Sequence, residues 1–134
     1  MVCVRPAQYY VLPMEVLLVA DRQSVIDRVH TALAGSGISL IDHDDSNTAA
    51  ATAYESGVEA VLVDMQVGSM GAMAVTRDVR AKARHEAAIP VTILLDREAD
   101  EFLAGRSGAD SWVLKTAPPA ELHAALVSGV DGES

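Results

Sequence analysis

Aromatic side chains and cysteine are nearly absent from this chain of 134 residues. Tyr9, Tyr10, Tyr54, Phe102 and Trp112 are its aromatics, and Cys3 is its single cysteine. One cysteine excludes an internal disulfide and a cysteine metal cluster, and implies a reduced, intracellular setting. A core without rings must be assembled from Val, Leu, Ile, Ala and Met, and apolar residues make up half of the chain. Basic residues are also few: 10 Lys and Arg stand against 19 Asp and Glu, for a net charge of −9. A face that follows a phosphate backbone needs the opposite balance, so no direct nucleic-acid binding by this chain is expected. Long apolar runs are missing as well. "YYVLPMEVLLVA" follows Arg5 like a leader, but Pro13 and Glu15 interrupt it and it is too short to span a membrane. No membrane contact is expected, and the location implied is cytoplasmic.

The length suits a single domain. Five short apolar runs are present: Val16–Ala20, Ile38–Ile41, Ala60–Val63, Val91–Leu95 and Trp112–Leu114. Most are continuous rather than alternating, as strands covered on both faces are. Helical stretches lie between them. Ser24 is placed to cap the first, with Asp27 three residues on, and Gly35 to stop it. The second spans Thr48 to Ser56 and ends at Gly57. The third carries the stripe Ala72, Val75, Val79 and Ala83. The fourth, around Ala99 to Arg106, is short and weakly patterned. The fifth opens at Pro118-Pro119, carries Leu122, Ala125 and Leu126, and ends near Gly129.

Five βα units in succession predict an α/β fold with a parallel, doubly wound sheet of flavodoxin-like order 2-1-3-4-5. In that order ligands bind at the carboxyl ends of the strands, where strands 1 and 3 meet. Strand 1 runs into Asp21, strand 3 into Asp64 and strand 5 into Lys115. Two carboxylates and an ammonium at one sheet edge suit a divalent cation with a phosphate-like group. Mg²⁺ accepts one or two carboxylates and keeps room for phosphate oxygens. A carboxylate beside it can attack phosphorus and form an acyl phosphate.

"EVLLVADRQ", "AVLVDMQVGSMGA", "IPVTILLD" and "GADSWVLKTAPPAEL" together resemble the landmarks of bacterial response-regulator receiver (CheY-like) domains, over residues 15–128. "LKTAPPAEL" is most similar to receivers that precede a helix-turn-helix domain. The resemblance implies a receiver over 14–130, with an extension at 1–13 and a tail at 131–134. Asp64 matches the phospho-acceptor. Asp21 matches the second acid of the strand-1 pair, making Asp21 and Asp64 the implied Mg²⁺ ligands. Lys115 matches the lysine that contacts the phosphoryl group, and Trp112 takes the place of the aromatic switch residue.

Departures from the family pattern cluster on the output side. Ala20 stands where the first acid of the pair belongs. Leu95 replaces the Ser or Thr that ends strand 4, so the switch pair Leu95 and Trp112 is degenerate. Asp96 replaces the small residue that follows, Gly68 the proline after the acceptor, and Thr116 the proline after the lysine. The stretch from Leu95 to Lys115 is shorter than in the family.

The resemblance therefore implies an atypical receiver in two-component phosphorelay signalling. Its partner would be a histidine kinase or other signalling protein, its Mg²⁺ weakly held, and its only chemistry Mg²⁺-dependent self-phosphorylation on Asp64. The alternative is a pseudo-receiver that works by phosphorylation-independent contacts or as a homodimer. An enzyme or flavin binder ranks last, because "ADRQSV" is charged where a phosphate loop would be small and polar.

Simpler roles stand beside each residue. Asp64 could cap the loop before helix 3, and Asp21 the first helix. Lys115 could be a structural ion pair. Trp112 could be packing, and Asp96 either a rim acid of the site or a solvated neighbour of Arg97. "DHDD" (42–45) reads as a solvated loop, and His30, His43, His85 and His123 lack ligand spacing.

Overall fold

The structure, a computed structural model, describes residues 14–68, 71–83 and 87–131. His85, the extension at 1–13 and the tail beyond residue 131 lie outside the described residues. Five strands, β1 Met14–Val19, β2 Ile38–His43, β3 Ala60–Asp64, β4 Val91–Leu95 and β5 Ser111–Leu114, form one parallel sheet of order β2-β1-β3-β4-β5. The order is the one the five apolar runs predict. Helices α1 Gln23–Ala32, α2 Ala49–Ser56, α3 Gly71–Lys82, α4 Glu101–Arg106 and α5 Pro119–Asp131 connect and cover the strands, with a 3-10 turn at Glu98–Asp100 before α4.

β3 and β4 are buried along their whole length, which explains their unbroken apolar sequence. The sheet divides the core into two layers. Leu17, Val61, Val63, Ile93 and Leu95 meet α2, α3 and α4 residues such as Ala53, Val75, Val79 and Ala104 on one face. Leu18, Leu62, Leu94 and Val113 meet Val25, Val29, Leu122 and Leu126 on the other.

β2 outruns its apolar stretch and takes in Asp42 and His43. As an edge strand it leaves part of each residue exposed, so polar side chains are tolerated there. The acidic run is therefore half strand rather than all loop. Asp42 accepts from or faces His30 Nε2 at 2.8 Å, and His43 Nε2 lies 2.8 Å from Thr48 Oγ1.

The first helix begins earlier than its Ser24 signal. Arg22, in extended backbone, is the N-cap, no side chain caps the helix, and Ser24 falls inside its first turn. Asp27 instead accepts a hydrogen bond from Gln23 Nε2 at 2.8 Å. Gly57 closes α2 in the left-handed conformation (φ 68°), as a C-terminal glycine does. On α3, Ala72, Val75 and Val79 are buried with Thr76, whose hydroxyl donates to the Ala72 carbonyl; Ala83 lies just past the helix end. Pro119 is the first residue of α5, and the helix continues past Gly129 to Asp131.

Candidate functional site

Strand register decides which residues meet. Val19 of β1 lies opposite Val63 of β3, so Ala20 and Asp64 are level at the carboxyl edge. Asp64 lies opposite Leu94 of β4, and Leu95 opposite Leu114 of β5. The backbone ladder continues past the strand ends through Met65 N–H to the Leu94 carbonyl (3.0 Å) and Lys115 N–H to the Leu95 carbonyl (2.9 Å). Asp64, Asp96 and Lys115 are thereby delivered to one place.

Asp64 is fully buried. Its two carboxylate oxygens have different surroundings. Oδ1 lies 2.6 Å from Lys115 Nζ and accepts the Gln66 backbone N–H at 3.1 Å. Oδ2 is buried and, among the described residues, has no hydrogen-bond partner, although Arg22 Nη2 stands 3.7 Å away. Lys115 also donates to Asp96 Oδ1 at 2.7 Å, so one ammonium bridges two carboxylates. Burial pushes the Asp96 carboxyl upward, but hydrogen bonds from Lys115 and Gln66 and the charges of Lys115 and Arg22 outweigh it and hold the group below its ordinary value. Arg97 pairs with Asp100 at 2.9 Å.

Asp21 reaches the crevice differently. It is exposed, and its Oδ2 accepts the Gly68 backbone N–H at 3.0 Å. It does not cap α1. Gly68 adopts φ +48°, outside the range a proline ring permits, which accounts for the missing proline in this loop. A Cβ there would lie 2.7 Å from Oγ of the buried Ser46. Gly68→Ala should therefore cost about 1–2 kcal/mol from the left-handed backbone alone. A urea-melt midpoint equal to that of the native chain would contradict this conformation.

The degenerate switch pair is placed in the core. Leu95 is fully buried, and Trp112 is half-buried against the same apolar layer, with its ring over Gly105 of α4. A cleft of about 630 Å³ between α1 and α5 touches Lys115, but Val25, Val29, Leu94 and Leu122 line it and Asp64 does not. Among the described residues no group of three or more His, Cys, Asp or Glu could hold a metal ion. Arg22, Ser46 and Gln66 are the contributors that the sequence pattern misses. Arg22 was findable in principle, because it follows Asp21 at the end of the strand that forms the switch point.

No protein-family model matches the chain. The sensory transduction protein RegX3 of Mycolicibacterium smegmatis is 29% identical over 124 residues, covering 88% of this chain and 53% of that protein. The solved response regulator ChrA of a heme-sensing two-component system is 29% identical, with a TM-score of 0.70 over 90% of this chain and 58% of that one. The receiver domain of a sensor histidine kinase from Pseudomonas aeruginosa PAO1, solved with a magnesium ion coordinated in its active-site cleft, superposes with a TM-score of 0.77 at 22% identity, over 90% and 99% of the two chains.

This chain has the fold of CheY-like response-regulator receiver domains and is similar in sequence to response regulators. The chain spans about half the length of the curated relative it matches. Among its described residues no helix is long and apolar enough to cross a membrane. In its crevice the acid that ends β3 and the acid that follows β4, Asp64 and Asp96, share the one ammonium of Lys115 after β5.

Proposed function

We propose that this receiver is an atypical module of two-component phosphorelay signalling in which Asp64 accepts a phosphoryl group from a histidine kinase or a small phosphodonor. One observation carries the reading: Asp64 Oδ2 is buried at the sheet's carboxyl edge without a hydrogen-bond partner among the described residues, while Lys115 and the Gln66 N–H hold Oδ1. Leaving a buried charged oxygen unpartnered costs at least about 1–3 kcal/mol, so the site is built for an incoming group. Oδ2 attacks phosphorus, the bond from phosphorus to the donor's leaving oxygen breaks, and the leaving group departs with the electron pair. Lys115, released in part from Asp96, neutralises charge on the transferring group. The module's own chemistry ends at that acyl phosphate, and its setting is the cytoplasm.

A divalent ion fits this crevice poorly. Asp21 commits Oδ2 to Gly68, Ala20 supplies no carboxylate, and a guanidinium stands beside the one oxygen of Asp64 that is free. Mg²⁺ would be weakly held by Asp21 and Asp64, in keeping with the missing acid.

A second reading has its own support. Leu95 is sealed in the core where a hydroxyl would bind the phosphoryl oxygen, which suits a pseudo-receiver working through phosphorylation-independent contacts, including a homodimer. Incubation with acetyl phosphate followed by intact mass separates the two. The native chain should gain one phosphoryl mass and Asp64→Asn none. No adduct on the native chain, or an equal adduct on Asp64→Asn, would leave the pseudo-receiver reading standing.

A further inference from the structure

The unpartnered oxygen of Asp64 faces an arginine that no motif singles out. Arg22 directly follows Asp21 and is the N-cap of α1, with φ −104° and ψ 126° and no capping hydrogen bond. Its side chain is therefore not needed by the helix. It extends to the switch point, where Nη2 lies 3.7 Å from Asp64 Oδ2. That separation is attraction without a hydrogen bond, so the guanidinium donors are still available. The side chain is about half exposed, at 51%, which leaves its outer edge open to a ligand.

The rest of the crevice has changed in the matching sense. Ala20, almost wholly buried, removes a carboxylate from the end of β1. Lys115 is divided between Asp64 Oδ1 and Asp96. Each carboxylate in a crevice strengthens its hold on a divalent ion, and each fixed cation weakens it. Here one acid is gone and a fixed cation stands next to the oxygen that such an ion would take. A guanidinium also presents a planar fork of N–H donors that matches phosphate oxygens.

We propose that Arg22 is the resident cation of this crevice: its guanidinium takes the place beside Asp64 Oδ2 that a divalent ion would need, and binds the oxygens of the arriving phosphoryl group. The proposal rests on Asp64 being the acceptor, and adds that the acceptor works without metal. With acetyl phosphate, Asp64 Oδ2 bonds to phosphorus, the bridging P–O bond breaks, and acetate leaves with the electron pair. The product is an aspartyl phosphate whose oxygens lie between Arg22 and Lys115. No proton and no other reactant is required. The same guanidinium repels a divalent ion from Oδ2, so Arg22 and Mg²⁺ compete for that oxygen.

The test compares the native chain, Arg22→Gln, Arg22→Lys and Asp64→Asn, with Arg77→Gln on the exposed face of α3 as a charge control. Each is incubated with acetyl phosphate in excess EDTA or in Mg²⁺ and read by intact mass over time. Mg²⁺ alone is then titrated by calorimetry into the native chain and Arg22→Gln. The native chain should be phosphorylated in EDTA, Arg22→Gln should be slower there by about tenfold or more, and Arg22→Lys should recover part of the loss, because an ammonium keeps charge but lacks the fork. Arg22→Gln should bind Mg²⁺ about tenfold more tightly than the native chain once the competing charge is gone. An adduct that needs Mg²⁺ in the native chain and is unaffected in Arg22→Gln would overturn the role of Arg22 and leave Asp64 as acceptor. No adduct in any arm would instead remove Asp64 as acceptor, and calorimetry would then decide: equal Mg²⁺ affinity in the two chains overturns the resident cation, and tighter binding by Arg22→Gln upholds it.

Discussion

Lys115→Met should destabilise the domain by about 3–5 kcal/mol, the cost of removing one partner from a buried ion pair. Asp64 has no exposure, and the Lys115 side chain is only 10% exposed, so water cannot take over the lost contact. The ammonium also separates Asp64 from Asp96, at 2.6 and 2.7 Å. Without it a wholly buried carboxylate and a second acid confront each other. Methionine keeps the length and apolar stem of lysine, so the change isolates the charge. Urea unfolding should show a lower midpoint with an unchanged slope. The double variant Asp64→Asn with Lys115→Met should recover more than half of the loss, since the charge left stranded by the single variant is then absent. A midpoint unmoved by Lys115→Met would mean that the pair behaves as a solvent-screened contact.

Leu95→Thr should cost about 2–4 kcal/mol, although it supplies the hydroxyl that the family resemblance leads one to expect at the end of β4. Leu95 is fully buried in the layer that holds Val63, Ile93 and Ala104. Threonine removes volume from that layer and places a hydroxyl among apolar neighbours. The change should leave the rate of phosphorylation by acetyl phosphate within about threefold of native, because the donors proposed for the phosphoryl group are Arg22 and Lys115. Denaturation midpoints and intact-mass time courses read the two effects separately. A Leu95→Thr chain as stable as the native one would show that the leucine is not a packed core residue.

The fold was legible because its signals are redundant. β3 and β4 are continuous apolar runs, and Asp64 and Lys115 end their runs abruptly. The order of five βα units then leaves few topologies. The contacts across the crevice were not legible in the same way. Asp96 has both a local neighbour, Arg97, and a distant one, Lys115, and only the register of β4 against β5 shows that it takes the distant one. Arg22 looks like any residue preceding a helix until its distance to Oδ2 is known. Ser24 carries a good capping signal, but the extended backbone of Arg22 starts the helix before that signal can act. Local chemistry places elements within a residue or two; tertiary pairing decides which charges meet.

Trp112 is the chain's single tryptophan, and it lies three residues before Lys115 with its ring against Gly105. Its indole emission therefore comes from one known position, between the sheet and the shortest helix. Fluorescence from the unmodified protein is a gauge of how tightly α4 is seated. A phosphodonor that alters the mass of the chain but leaves that emission unchanged would show a signal received at Asp64 and not passed on to α4.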